Sequence, residues 1–134
     1  MLCVAYEGKQ FLTCIHFFIL ISKGKPTPPV INNKETEING CNVNLKWSPP
    51  RQDACPILKY IVYYREKNSQ GSETDWRQIP ISQVTKTFLY ITLFCDTKYD
   101  FAVSAHNGKM ESDWSAYWQV KTNTGVILAL TFIS

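Results

Sequence analysis

The side chains of this 134-residue chain that could carry chemistry include two histidines and five cysteines. Structural zinc sites typically contain Cys-x-x-Cys pairs, but here Cys14 and His16 form the only close Cys/His pair. His106 could pair with Asp113 across a polar loop, yet no nucleophile or oxyanion-stabilising group accompanies them. A glycine-rich phosphate-binding loop is also absent. These patterns predict no bound metal, no cofactor and no enzymatic activity.

The charge of the chain argues against nucleic acid as a partner. The formal net charge is +3, but residues 26–122 hold 11 basic and 10 acidic side chains and are therefore nearly neutral. The rest of the positive charge comes from three lysines and one glutamate near the start of the chain. Nucleic-acid-binding domains need a concentrated basic surface. The expected partners of this chain are other proteins.

The chain begins with an apolar segment. Within residues 11–21 only Thr13 and His16 interrupt the apolar side chains. This run is shorter than the ~20 residues that span a bilayer and resembles the apolar part of a secretory signal. Glu7 precedes the run, and no A-x-A cleavage site follows it. Two interpretations of residues 1–25 stay open: a signal peptide or anchor, and an extension that an incomplete gene model has left.

The chain also ends in an apolar segment, residues 123–134, which is almost free of charge and polarity from Gly125 onward. Its apolar run is about half as long as a membrane span requires. We expect the first part of a truncated membrane segment, with an unrelated tail as the alternative. Contact with a membrane is therefore expected only through the two apolar ends, if these ends are authentic.

Between these ends, the pattern of residues 26–122 predicts β-strands joined by turns. Residues 41–47 and 99–105 alternate between inward apolar and outward polar positions, a period of two that is typical of half-buried strands. Residues 58–66 are rich in aromatic and β-branched side chains. Residues 88–93 have apolar side chains at both parities, which leaves the inward face of that strand open. Seven short strands at this spacing predict two facing sheets that bury their apolar faces together.

Several motifs occur in a fixed order along residues 26–122. They are Pro26-Thr27-Pro28-Pro29, Trp47-Ser48-Pro49-Pro50, Pro56-Ile57 with Tyr60, Val62, Tyr64 and Arg65, then Leu93 with Thr97 and Tyr99, and finally Phe101, Val103, Ala105 and Asn107. In this order they resemble the fibronectin type III family. The resemblance implies an all-β fold, an immunoglobulin-like seven-stranded antiparallel β-sandwich. Its implied structural residues are Trp47, Tyr60, Tyr64, Leu93, Tyr99 and Phe101, with the Tyr99 hydroxyl bonded back to nearby backbone as a tyrosine corner.

The resemblance also brings two cysteines together. Cys41 begins the second strand of the family fold, and Cys95 stands where the tyrosine-corner turn usually has proline, on a neighbouring strand. We predict a Cys41–Cys95 disulfide, with buried free thiols as the alternative. The setting of Cys55 resembles type III repeats of Down-syndrome-type cell adhesion molecules, whose matching cysteine pairs with another near the loop that here spans residues 107–113. That loop has no cysteine, so Cys55 has no predicted partner.

The segment Trp114-Ser115-Ala116-Tyr117-Trp118 partly resembles the W-S-x-W-S box of class I cytokine receptors. In that family the tryptophans stack with arginines from a neighbouring strand. The matching outward positions here are Asp100, Ala102 and Ser104, which include no arginine. A cytokine-receptor-like module would show Trp114 and Trp118 stacked with basic partners. The exposed face near these tryptophans is also a second candidate surface.

These observations predict a non-catalytic protein–protein interaction or spacer module of an extracellular adhesion or receptor protein, outside the cell or at its surface. The alternatives are a cytokine-receptor-like ligand-binding module and an intracellular structural spacer. The lack of an Asn-x-Ser/Thr glycosylation site keeps the intracellular alternative open. Candidate protein-binding residues lie in two loops at one end of the sandwich. They are Arg51 and Asp53 in the first loop, and Lys109, Met110 and Glu111 in the second.

Overall fold

The computed structural model describes residues 24–51 and 56–125. Most of the two apolar terminal segments, and residues 52–55 of the first candidate loop, lie outside the described residues. The predictions about a signal peptide and a truncated membrane segment fall there as well. Within the described ranges, no helix is long and apolar enough to cross a membrane.

Eight strands form two facing antiparallel sheets. The strands are β1 (Val30–Ile31), β2 (Glu37–Asn39), β3 (Asn42–Ser48), β4 (Lys59–Lys67), β5 (Arg77–Ile81), β6 (Phe88–Thr92), β7 (Lys98–His106) and β8 (Trp118–Lys121). In the first sheet, β3 pairs with β6 on one side and with β1 and β2 on the other. The second sheet has the order β5-β4-β7-β8. This arrangement confirms the predicted all-β antiparallel sandwich.

The described strands number eight, whereas the sequence predicts seven, because two short strands, β1 and β2, precede β3 along the same side of it. A turn separates β1 from β2, and in it the carbonyl of Asn32 accepts hydrogen bonds from the N–H groups of Glu35 and Thr36 at 3.1 and 3.0 Å. The Thr36 hydroxyl accepts the N–H of Lys46 at 3.0 Å. A hydroxyl oxygen therefore takes the place of one backbone carbonyl as the acceptor for β3, a role that Thr and Ser side chains often have at turns.

The core comes from alternate positions of the central strands. The ring of Trp47 meets the ring of Tyr60 edge-on, with 5.5 Å between centroids, and so joins the two sheets. Tyr64 and Leu93 are only partly buried and pack against this core. The buried residues are Val43, Leu45 and Trp47 of β3, Tyr60 and Val62 of β4, and Tyr99, Phe101, Val103 and Ala105 of β7.

The structure also decides the inward face of β6. Its register with β3 sets Leu89 opposite Leu45 and Tyr90 opposite Asn44. Leu89 is therefore buried in the core, whereas Phe88 and Tyr90 point out of the sandwich and are exposed. Periodicity could not separate these faces, because both carry apolar side chains.

Tyr99 holds the turn between β6 and β7. The residue is buried, and its hydroxyl accepts a hydrogen bond from the backbone N–H of Phe94 at 3.1 Å. Asp96 in the same turn has a φ of 49°, in the left-handed region where Asp is enriched among non-glycine residues. Lys121 of β8 lies 2.7 Å from the Asp96 carboxylate and connects the turn to the second sheet.

A disulfide joins Cys41 to Cys95 at this end of the sandwich. The Cα atoms of the two cysteines are 4.6 Å apart, and the N–H of Leu93 donates to the carbonyl of Cys41 at 3.0 Å. The bond therefore links the residue before β3 to the turn after β6. Cys55, for which no partner was predicted, lies outside the described residues.

Candidate functional site

The loop between β7 and β8 is organised by the buried side chain of Asn107. The Asn107 Oδ1 atom accepts the N–H groups of Lys109 and Met110 at 3.1 and 2.9 Å, and Nδ2 donates to the carbonyl of Gly24 at 2.5 Å. Gly108 has a φ of 93°, a conformation that L side chains rarely adopt. The turn is therefore held in one shape from inside the domain.

Lys109 and Met110 are the residues that this turn presents to solvent, and both are exposed. Arg51, at the start of the β3–β4 loop, is exposed as well, whereas Asp53 lies outside the described residues. The N–H of Leu58 donates to the carbonyl of His106 at 2.8 Å. The β3–β4 and β7–β8 loops therefore lie at the same end of the sandwich.

Glu111 is placed differently from its two neighbours. Its carboxylate accepts hydrogen bonds from the hydroxyl of Tyr63 and from that of Ser104, the latter at 2.5 Å. The chain after Met110 turns back along β7, where the N–H of Ser112 donates to the carbonyl of Ala105 at 2.8 Å. The carboxylate therefore lies over the outer face of the second sheet and is already bonded within the domain.

His106 does not pair with Asp113 across the loop. The Nδ1 atom of His106 accepts the N–H of Gly108 at 2.9 Å, which makes it part of the turn. Asp113 forms an exposed ion pair with Lys25 at 2.6 Å instead. His106 and Asp113 are therefore each bonded to another residue, and they do not form a pair that could support acid–base chemistry.

An aromatic cluster covers the outer face of the second sheet, and we call it the aromatic face. The ring of Trp114 stacks on Tyr63 at 4.0 Å between centroids and meets the edge of Trp76 at 5.0 Å. Tyr117 lies 5.4 Å from Trp76. The guanidinium carbon of Arg65 lies 4.5 Å from the centre of the Trp76 ring, within the range of a cation–π interaction.

Trp118 does not share the aromatic face with Trp114. Trp118 lies in β8 opposite Phe101, and its ring packs 5.8 Å from the Phe101 ring on the inner side of the sheet. Trp114 precedes the strand and lies on the outer side. The basic residue also differs from that of the cytokine-receptor pattern, because Arg65 belongs to β4 rather than β7 and contacts Trp76 rather than Trp114. The stacked pair expected of a cytokine-receptor-like module is therefore not formed.

Charged side chains extend the aromatic face toward the Tyr99 turn. Asp100 of β7 is fully buried, and its Oδ2 atom lies 3.0 Å from Arg65 Nε and 3.1 Å from Lys67 Nζ. Glu73 pairs with both basic residues from the β4–β5 connection. A buried carboxylate is tolerated only when it is paired in this way. The aromatic face is thus a partly buried layer held by stacking and ion pairs, which sequence reasoning missed because its members come from four separate segments.

Three buried tyrosines should make the fold less stable in alkaline solution. Burial raises the pKa of Tyr60, Tyr63 and Tyr99 above the ordinary 10.0, and the Glu111 carboxylate raises the pKa of Tyr63 further. The unfolded chain therefore loses these protons at a lower pH than the folded chain does. Stability is complete below pH ~10 and decreases above it, by up to about 1.4 kcal/mol per pH unit for each tyrosine.

Urea unfolding at several pH values between 9 and 11 would measure this decrease. The double variant Tyr63→Phe/Tyr99→Phe should show a shallower dependence on pH than the unmodified chain, because two of the three groups no longer titrate. Parallel curves for the two proteins would contradict the assignment.

Among the described residues, no group of three or more His, Cys, Asp or Glu side chains could hold a metal ion. The exposed candidate residues instead form a small surface at the loop end of the sandwich. Lys109 and Met110 project from a preorganised turn, with Arg51 in the adjacent loop. Such a surface can act by complementarity to another protein.

Comparison with known proteins gives a consistent result. The family model described as "Fibronectin type III domain" matches residues 26–121. A stretch of 67 residues, 50% of this chain, is 34% identical to "Cell adhesion molecule DSCAM" of Gallus gallus and 33% identical to the Homo sapiens protein of the same name. The stretch covers only 3% of the length of each of these relatives.

Solved structures share the same architecture. The structure "Crystal structure of the FN5 domain of Drosophila Lar" is 26% identical, with a TM-score of 0.54, and the match covers 76% of this chain and 98% of that one. A structure titled "Myokine structure" has a TM-score of 0.60 over 73% of this chain and 98% of its own. Its identity is 18%, so it supports the fold alone.

Proposed function

This chain belongs to the fibronectin type III family, and on that basis we propose that it is a non-catalytic protein-interaction or spacer module of an extracellular adhesion or receptor protein. The similarity to cell adhesion molecules supports the class of parent protein. Since the match spans only a small part of those relatives, their partners are not transferred to this chain. In this proposal residues 26–122 form the module.

The disulfide is the observation that supports an extracellular setting. Cys95 is exposed, so the reducing systems of the cytosol would have access to the bond. Disulfides of this kind persist mainly in secreted and cell-surface proteins, outside the reducing cytosol. The bond therefore favours the extracellular proposal over the intracellular spacer.

The loop end of the sandwich is the proposed interaction surface. Lys109 and Met110 are already held in one conformation by Asn107, so binding would lose little conformational entropy in the turn. Arg51 and Asp53 would extend the contact from the neighbouring loop. In this scheme Glu111 anchors the turn to Tyr63 and Ser104 through its Oε1 atom, and its other carboxylate oxygen binds the partner protein.

Thiol alkylation followed by mass spectrometry tests the proposed extracellular setting. The full chain should be made in a eukaryotic secretory host, alkylated after denaturation with and without prior reduction, and mapped by peptide. We expect the peptides with Cys41 and Cys95 to be linked before reduction and the Cys55 thiol to react. Quantitative alkylation of Cys41 and Cys95 without reduction would overturn the extracellular proposal.

A cell-binding assay separates an interaction module from a spacer. Surfaces coated with the full chain would be incubated with dissociated animal cells, and the variant Lys109→Ser/Met110→Ser should retain fewer cells than the unmodified chain. The matched control Lys98→Ser/Tyr117→Ser also removes one exposed lysine and one exposed apolar side chain, from the end of β7 opposite the loops and from the outer face of the second sheet. Equal retention by both variants and the unmodified chain would favour the spacer.

A further inference from the structure

The exposed apolar side chains of the domain are concentrated around β6. Val84, Phe88, Tyr90 and Phe94 are 38%, 47%, 59% and 68% exposed, and they make up half of the large apolar side chains that are exposed in the described part of the chain. Single exposed apolar residues are ordinary, but a contiguous group often marks a contact with another molecule. Phe88 and Tyr90 lie on the outer face of the first sheet, whereas the Lys109–Met110 turn belongs to the second sheet.

The backbone of β6 is also open on one side. The carbonyl of Thr87 accepts the N–H of Trp47, and the N–H of Leu93 donates to the carbonyl of Cys41, both at 3.0 Å. In an antiparallel ladder the residues that exchange hydrogen bonds alternate with residues whose polar groups point the other way. The N–H and C=O groups of Phe88, Tyr90 and Thr92 therefore point away from β3, where no described strand pairs with them.

The other edge strands in the described ranges are protected by charge, by proline or by short length, the last being the case for the two-residue β1. β5 contains a proline at Pro80 and a charge at Arg77, β8 ends in Lys121, and the three-residue β2 begins with Glu37. Charged side chains, prolines and short length are the usual protections of an exposed edge. β6 has none of them, since its sequence is Phe-Leu-Tyr-Ile-Thr.

From these observations we propose that β6 is an interface between two copies of this chain. The two β6 strands pair antiparallel across a two-fold axis at Tyr90, which joins the two four-stranded first sheets into one continuous sheet. In this register Tyr90 faces Tyr90 of the partner subunit and Phe88 faces Thr92 of the partner subunit. The three outward-directed residues of each strand then supply about six intermolecular hydrogen bonds.

The chemistry of the strand favours a second copy as the occupant. An interface on a two-fold axis must be complementary to itself, and this register opposes no like charges because β6 is uncharged. The nearest charge is Lys86, whose Nζ atom lies 5.3 Å from the centre of the Phe88 ring. In the pair, Lys86 faces Phe94 of the partner subunit, where a further cation–π contact can form.

The interface is small, so its expected dissociation constant is about micromolar. Sedimentation velocity of the full chain from about 0.01 to 500 µM measures it, because this range extends at least about 100-fold on either side of the expected constant. The unmodified chain should pass from monomer to dimer and no further. Tyr90→Lys sets two lysines face to face on the axis and should weaken the dimer about a hundredfold.

Two further measurements make the result specific. Tyr117→Lys is the matched control, because it changes an equally exposed tyrosine on the other sheet and should leave the dimer intact. Tyr90→Ser, checked by its urea unfolding midpoint, replaces Tyr90→Lys if the lysine variant does not fold. A chain that stays monomeric at 500 µM, forms larger assemblies, or dimerises equally well with Tyr90→Lys would overturn the proposal.

Discussion

Replacing Phe101 with alanine is expected to lower the free energy of unfolding by about 3–5 kcal/mol. Phe101 is fully buried at the centre of β7. Its ring lies 6.0 Å from that of Tyr64 and 5.8 Å from that of Trp118, which come from the strands on either side. Since hydrogen-bond ladders fix all three strands, their side chains cannot close the space that the missing ring leaves.

Such a loss approaches the whole stability of a typical small domain, about 5–15 kcal/mol. Urea unfolding followed by tryptophan fluorescence measures it. Phe94→Ala removes the same ring from an exposed position and retains the backbone N–H that Tyr99 accepts. This control should change the free energy by less than about 0.5 kcal/mol. Equal losses in the two variants would show that the ring of Phe101 is not in the core.

Removing the disulfide is expected to have an effect of similar size. The bond closes a loop with a sequence separation of 54 residues, for which the loss of chain entropy in the unfolded state corresponds to ~4 kcal/mol. Measured losses for native disulfides of small domains are about 2–5 kcal/mol. The variant Cys41→Ala/Cys95→Ala should therefore unfold at a much lower urea concentration than the unmodified chain.

Unfolding with and without a reductant tests this expectation directly. Reductant should destabilise the unmodified chain by about as much as the double substitution does, and it should leave the double variant unchanged. Cys55→Ser, which removes a thiol that is not in the bond, should still respond to reductant. An unmodified chain whose unfolding midpoint is insensitive to reductant would contradict a stabilising role for the bond.

Much of the sandwich was predictable because its signals are local. In β3 and β7, apolar residues alternate with others along the chain, and alternation identifies the inward face without knowledge of the neighbours. Trp47, Tyr60 and Phe101 were therefore recognised as core residues before the structure was known. The Tyr99 hydrogen bond is equally local, since its acceptor and donor are five residues apart.

The contacts that local patterns do not reveal join side chains that are remote in sequence. Trp114 and Trp118 are four residues apart, yet the chain sets one on Tyr63 and the other on Phe101, on opposite faces of the sheet. Glu111 lies in a loop whose sequence predicts exposure to solvent. Its carboxylate nevertheless accepts a hydrogen bond from the hydroxyl of Tyr63, 48 residues away. Residue types in the segment contain no information about either contact.

The fold class and the central core follow from periodicity and turn chemistry, which act within a few residues. The family and the disulfide pair follow from the resemblance that the ordered motifs carry. Which apolar side chains are buried depends on contacts between segments that are distant along the chain. Trp114 is partly buried because Tyr63 and Trp76, from other segments, pack against its ring. β6 lies at the edge of its sheet and keeps Phe88 and Tyr90 exposed. Burial is set by what lies across the sheet, and the residues that lie across are distant along the chain.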